Sequence, residues 1–280
     1  GVGLPTSISI GSKFIAVGTQ RGLILVFDLF EELRQQLGLS TTNSEGNTLD
    51  QYGSVSSIDI ASNGETLVAG YENGTVILWD IIKGIMVKAV SDMHSSPISI
   101  VRFISEKNLS VVSVDAGGLV KKLTFVKSML LWSSVDNECL LDGSAGQILA
   151  LDVLPPISSL KNEPMCITED KKKKPYHPSI HKLVLLALSS EKSSFAIAVE
   201  PKTSVLHRWP RPSNEDMNMQ ENQSTSGLPE IFLPCLSWGW ALVSGGENSV
   251  TPILARAWGC SIQLCRANFP PLEGDSDGND

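Results

Sequence analysis

Long apolar runs are missing from this chain. The longest, LVLLAL from Leu183, is far too short to cross a bilayer as a helix, and no basic then apolar leader follows Gly1. Histidine is scarce, at four in 280 residues. The phosphate loop G-x-x-x-x-G-K-[ST], the elbow G-x-S-x-G, the dinucleotide motif G-x-G-x-x-G and the zinc helix H-E-x-x-H are absent, which removes the usual sequence grounds for an enzyme. His177 and His181 have i, i+4 spacing but bracket Pro178, which breaks the helix that would aim both at one metal. The five cysteines, Cys139, Cys166, Cys235, Cys260 and Cys265, form no C-x-x-C pair and read as free thiols of a reducing cytosol. Net positive charge is lacking too. At a formal −8, an acidic surface offers no counterion release to nucleic acid and no attraction to anionic lipid. The one basic cluster, Lys171 to Lys174, follows Glu169 and Asp170 and reads as a solvated loop. These absences together call for no cofactor, no metal, no nucleic-acid partner and no transmembrane segment.

What the chain does have is a repeat. Apolar residues recur at n, n+3 and n+5 in Pro5, Ile8, Ile10, in Val55, Ile58, Ile60, in Ile98, Val101, Phe103, in Ile148, Leu151, Val153, and in Leu233, Leu236, Trp238, with starts 50, 43, 50 and 85 residues apart. A period of about 40 to 50 residues built from short strands marks a propeller blade. Each triplet is followed by a second landmark, seen in KFIAVGTQRGLILVFD from Lys13 and TLVAGYENGTVILWD from Thr66. Gly18, Gly22 and Asp28 share the spacing of Gly70, Gly74 and Asp80; the third copy keeps Gly118 between Val114 and Thr124, and the last keeps Gly259 between Ala255 and Cys265. β-branched and aromatic residues fill the strands, and QRG and ENG supply the turns between them. Trp79-Asp80 closes the third strand of its blade, where the WD dipeptide of such repeats belongs, and His94 stands at a blade entrance, where it is expected to hydrogen-bond between strands.

The fold expected is all-β, a β-propeller of WD40-like four-stranded blades, with about five blades visible of an expected seven. The propeller spans residues 1–268, with insertions at about 155–180 and 210–228 whose polar or proline-containing composition reads as disordered, and residues 269–280 form an acidic linker. Leu29, Phe30, Leu33 and Leu37 have helical spacing, so a short amphipathic helix is expected after the first blade. With Gly rather than Met at its start and blades missing, the chain reads as a piece of a longer protein. That helix and the first insertion are the candidate docking elements.

SKFIAVGTQRGLILVFD, LVAGYENGTVILWD, HSSPISIVRF, VVSVDAGGLVKKLTF and ECLLDGSAGQI, in this order, resemble the amino-terminal propeller of the vacuolar protein sorting-associated protein 8 family. The resemblance covers about residues 3–155 well and the rest through repeat spacing. It implies a non-enzymatic scaffold within the endosomal vesicle-tethering complex CORVET, engaging a Rab GTPase and other complex subunits in transport from endosome to vacuole or lysosome. It also implies a cytoplasmic protein held peripherally on the cytosolic face of endosomes through its partners. The shared strings are structural, so no partner-contact residue is carried over. A WD40 adaptor of another pathway, such as a ubiquitin-ligase substrate receptor or a signalling scaffold, would share the fold.

Overall fold

A computed structural model describes residues 1–38, 52–105, 107–128, 131–157, 183–212, 233–243, 249–259 and 261–267. The expected insertions beyond their first three residues, His177, His181, the Lys171 to Lys174 cluster and the acidic tail lie outside these residues. The chain falls into two compact units, Gly1–Ile148 and Leu149–Asp280.

The first unit carries three four-stranded antiparallel sheets, each a meander in chain order. The first sheet is β1 (Pro5–Ile10), β2 (Phe14–Thr19), β3 (Ile24–Asp28) and β4 (Leu33–Leu37). The second is β5 (Val55–Ile60), β6 (Thr66–Tyr71), β7 (Val76–Asp80) and β8 (Ile85–Val90). The third is β9 (Ile98–Ser105), β10 (Ser110–Asp115), β11 (Leu119–Ser128) and β12 (Leu131–Asp142). In the second unit β13 (Ile148–Val153), β14 (Val184–Ser190), β15 (Ser193–Glu200) and β16 (Ser204–Pro210) make a fourth sheet. β17 (Pro234–Val243), β18 (Ser249–Trp258) and β19 (Ser261–Arg266) make a three-stranded fifth. These are blades of a β-propeller, and the triplets open β1, β5, β9 and β13, with the last falling at the start of β17.

Strand burial explains the composition. The second strands of the middle three blades, β6, β10 and β14, are covered on both faces and so read as nearly unbroken small and apolar runs rather than alternating ones. The outer β16 is exposed along almost its whole length. Val55, Ile58, Leu67, Ile77 and Trp79 pack with Ala16, Ile24, Val26 and Leu37 between the first two sheets, and each large apolar side chain buried there contributes about 1.5–3 kcal/mol. Val68, Val76, Leu78, Ile98, Val101, Val111 and Leu123 fill the space between the second and third sheets.

The expected helix after the first blade is instead a strand. Leu33 to Leu37 pairs antiparallel with β3 in register Ile24↔Leu37 and Val26↔Gln35. An i, i+4 spacing also suits strand alternation, so the pattern of Leu33 and Leu37 fits either period in the sequence, although a bulge between Leu33 and Gln35 leaves Leu33 exposed and Leu37 buried. The free edge of β3 decides between them, because it offers ladder partners to backbone groups that an isolated turn of helix would leave to water.

Candidate interaction surface

The side chain of Asp28 builds the turn from β3 to β4. Its Oδ1 accepts from the amides of Phe30 at 2.8 Å and Glu32 at 3.0 Å, while Oδ2 accepts from Arg34 Nε at 2.7 Å and pairs with Nη2. Partial burial works to raise the Asp28 pKa, but the Glu32 amide, the Arg34 guanidinium and the Phe30 amide together hold it below the ordinary carboxylate value. Glu31 closes the turn in the left-handed region at φ 64°, a conformation that costs a non-glycine residue on the order of 1 kcal/mol. The product is a rigid tip that turns two apolar side chains outward. Leu29 is 59% and Phe30 85% exposed.

The next blade repeats the device. Asp80 Oδ1 accepts from the Lys83 amide at 2.9 Å, and Oδ2 lies 3.2 Å from Lys83 Nζ. This turn from β7 to β8 leaves Ile82 57% and Ile85 49% exposed. Gln35 joins the two turns: its Nε2 donates to the Ile82 carbonyl at 3.5 Å, and a Cβ on Gly84 would come within 2.7 Å of its Oε1. Leu33, also exposed, stands two residues from Gln35 on β4. Leu29, Phe30 and Leu33 thus stand exposed at the turn into β4, and Ile82 and Ile85 at the turn into β8 of the next blade, the two joined through Gln35. Scattered exposed apolar residues are ordinary, but such a group on two fixed turns has the makings of a protein-binding patch.

The other residues singled out in the sequence serve the blades themselves. Gly18 and Gly70 lie where a blade touches the first strand of the next. A Cβ on Gly18 would stand 2.6 Å from Val55 Cγ1, and one on Gly70 would stand 2.7 Å from Ile98 Cβ. Gly74 turns β6 into β7 at φ 88° beneath the His94 carbonyl, 2.6 Å from where a Cβ would be. Gly22, Gly118 and Gly259 occupy the corresponding turns of their blades, and Trp79 is buried in the first core.

His94 is buried against the third blade. Its Nδ1 lies 3.1 Å from Asp115 Oδ2 and its Nε2 lies 2.7 Å from Ser113 Oγ. A carboxylate only accepts, so Nδ1 carries the proton and Nε2 accepts from the serine hydroxyl. Asp115 Oδ1 meanwhile accepts from the amides of Gly117 and Leu119 at 2.9 and 3.0 Å. Burial pushes the His94 pKa below its ordinary value despite the opposing pull of Asp115. Ser113 and Asp115 were not legible as His94 partners from spacing; the one hint is an Asp immediately before the AGG turn. Cys139, Cys235 and Cys265 are free thiols, and Cys166 and Cys260 lie outside the described residues. Among the described residues no group of three or more His, Cys, Asp and Glu could hold a metal ion.

The family model described as the Vps8 beta-propeller matches residues 1–276. The chain is similar to the vacuolar protein sorting-associated protein 8 homologs of Mus musculus and Homo sapiens, at 28% identity over 255 residues in each, covering 90% of this chain and 15% of the relative. It is 24% identical to the Drosophila melanogaster homolog over 247 residues, 87% of this chain and 17% of the relative. The chain therefore spans about 15% of the length of the mouse and human relatives. Among solved structures, the β-propeller domain of Myceliophteria_thermophila Cps50 (Swd1) superposes with a TM-score of 0.52 at 11% identity, covering 91% of this chain and 64% of that one, a likeness of fold alone.

Proposed function

The chain belongs to the Vps8 β-propeller family, and on that premise we propose that it is a non-enzymatic interaction module of the endosomal vesicle-tethering complex CORVET. In this reading it engages a Rab GTPase and other complex subunits in transport from endosome to vacuole or lysosome. It works on the cytosolic face of endosomes, held there through protein partners; among the described residues no helix is long and apolar enough to cross a membrane. The observation that carries the reading is the apolar patch of Leu29, Phe30, Leu33, Ile82 and Ile85. A standard interface buries about 800 Å² on each partner around a few apolar or aromatic anchors. Phe30 at 85% exposure is the natural anchor, and the turn locked by the Asp28 carboxylate presents it with little entropy left to lose on binding.

The test is a pull-down of GTP-loaded and GDP-loaded early-endosomal Rab by the full chain and by its Phe30→Asp, Ile82→Asp variant. GTP-dependent capture that the variant loses supports the reading. Capture indifferent to the nucleotide, or undiminished in the variant, removes the patch from it.

A further inference from the structure

Arg256 on β18 is 4% exposed, and among the described residues it has no carboxylate partner. Its Nε donates to Gln263 Oε1 at 2.9 Å, and Nη2 reaches the Pro210 carbonyl at 3.5 Å. The Trp209 ring lies 5.3 Å from its Cζ. Nη1 has no partner. Two residues on, and on the same face of the strand, Trp258 is 1% exposed with its indole Nε1 also unpartnered, while the exposed Arg211 guanidinium stacks on its ring at 5.2 Å. Two arginines, two tryptophans and two orphaned N–H donors thus share one neighbourhood of the second unit, and none of these side-chain groups is anionic. A desolvated cation left unneutralised in a fold is costly.

We propose that Arg256 and Arg211 form a binding site for a side-chain carboxylate of an acidic segment in a partner protein. The chemistry selects the ligand. Every unmet group is a donor, so the ligand accepts; the site is positive within a chain of net charge −8, so the ligand is an anion. The tryptophan faces and the near-complete burial favour the flat, singly charged carboxylate over a dianionic phosphate, whose desolvation costs more. Arginine matches a carboxylate with paired N–H groups, and a tryptophan ring lies within cation–π reach of each guanidinium. The Gln263 amide that occupies Nε is exposed, so an arriving carboxylate displaces a flexible side chain to reach that edge of the guanidinium. This site is independent of the apolar patch and of the Rab reading.

The probe is a capped hexaglutamate peptide added to the full chain, with capped hexaglutamine and inorganic phosphate as controls, read by the indole N–H resonances of Trp209 and Trp258 and by the melting temperature. Hexaglutamate is expected to shift both resonances and raise the melting temperature, with hexaglutamine silent and phosphate weaker. Arg256→Met is expected to fold with an unchanged or higher melting temperature, because it removes a buried charge that has no carboxylate partner among the described residues, and to bind hexaglutamate at least about tenfold more weakly. Arg211→Gln, at an exposed position, keeps the fold in any case and is expected to lose affinity about threefold or more. Equal binding by all three proteins, a response to phosphate as strong as to hexaglutamate, or no response of the unsubstituted chain would each overturn the proposal.

Discussion

Asp59 on β5 accepts, through Oδ2, the amide of Phe103 on β9 in the next blade at 2.8 Å. The second unit repeats the bond, with Asp152 on β13 accepting from the Trp238 amide on β17 at 2.6 Å. Both aspartates sit one residue before the last member of an apolar triplet, and both amides belong to that last member in the next copy. Nearby, Ser57 Oγ accepts from the Val101 amide at 3.0 Å. Neighbouring innermost strands are thus tied by side chains that reach backbone groups no ladder hydrogen bond can serve, since those strands belong to different sheets.

Asp59→Ala leaves the Phe103 amide without that acceptor. The expected loss is about 1–3 kcal/mol in urea unfolding of the full chain. Asp59→Asn, which retains an oxygen at the same reach, loses less. Arg102 lies 4.0 Å from Asp59 and is half exposed, so Arg102→Ala alone costs under about 1 kcal/mol.

Gly70→Ala drives a methyl into the first residue of the next blade and is expected to cost about 1–3 kcal/mol. A double-mutant cycle checks the cause. The Ile98 Cβ itself stands 2.7 Å from the new methyl, so Ile98→Ala relieves only part of the clash and the two costs do not cancel. Full relief would mean that the outer atoms of Ile98, and not the separation of the two backbones, set the blade spacing.

His94 gives stability a pH dependence of definite sign. Burial holds its pKa below the ordinary 6.5, so the unfolded chain takes up a proton near pH 6.5 that the folded one refuses. Its contribution is complete above that pH and is lost as pH falls from 6.5 through the lower folded value. Unfolding midpoints measured from pH 7.5 downward should fall for the unsubstituted chain. His94→Gln starts less stable and shows a shallower fall, so the two curves converge as the medium becomes acidic.

The blade frame was legible in the sequence because strands covered on both faces need unbroken apolar runs such as VILW and VVSV, and hairpin turns need residues such as Gly74 that accept positive φ. The polar ties were not. Asp59, Asp152 and Ser57 act between copies of the repeat, and spacing within one copy says nothing about which backbone amide of the next they meet. The apolar patch was half visible: Leu29, Phe30 and Leu33 stood out as an apolar group, but their i, i+4 pattern pointed to a helix, and only the pairing of β4 on β3 turns Phe30 to solvent. Arg256 gave no signal, since one arginine in a strand is unremarkable until its burial and its missing partner are known.

Asp28→Ala separates the shape of the apolar patch from its composition. The substitution removes the acceptor of the Phe30 and Glu32 amides and the partner of Arg34, while every apolar side chain of the patch stays in place. Hydrogen exchange at the Phe30 and Glu32 amides should quicken by about tenfold or more, as the turn opens without the strands around it. Partner capture should weaken several-fold although Phe30 is untouched, because a loosened turn pays on binding the ordering entropy that the carboxylate lock prepays. Phe30→Asp leaves that lock intact, so its amides should stay protected while capture is lost. Faster exchange in Asp28→Ala with undiminished capture would show that the partner needs only the apolar side chains and not the rigid turn that carries them.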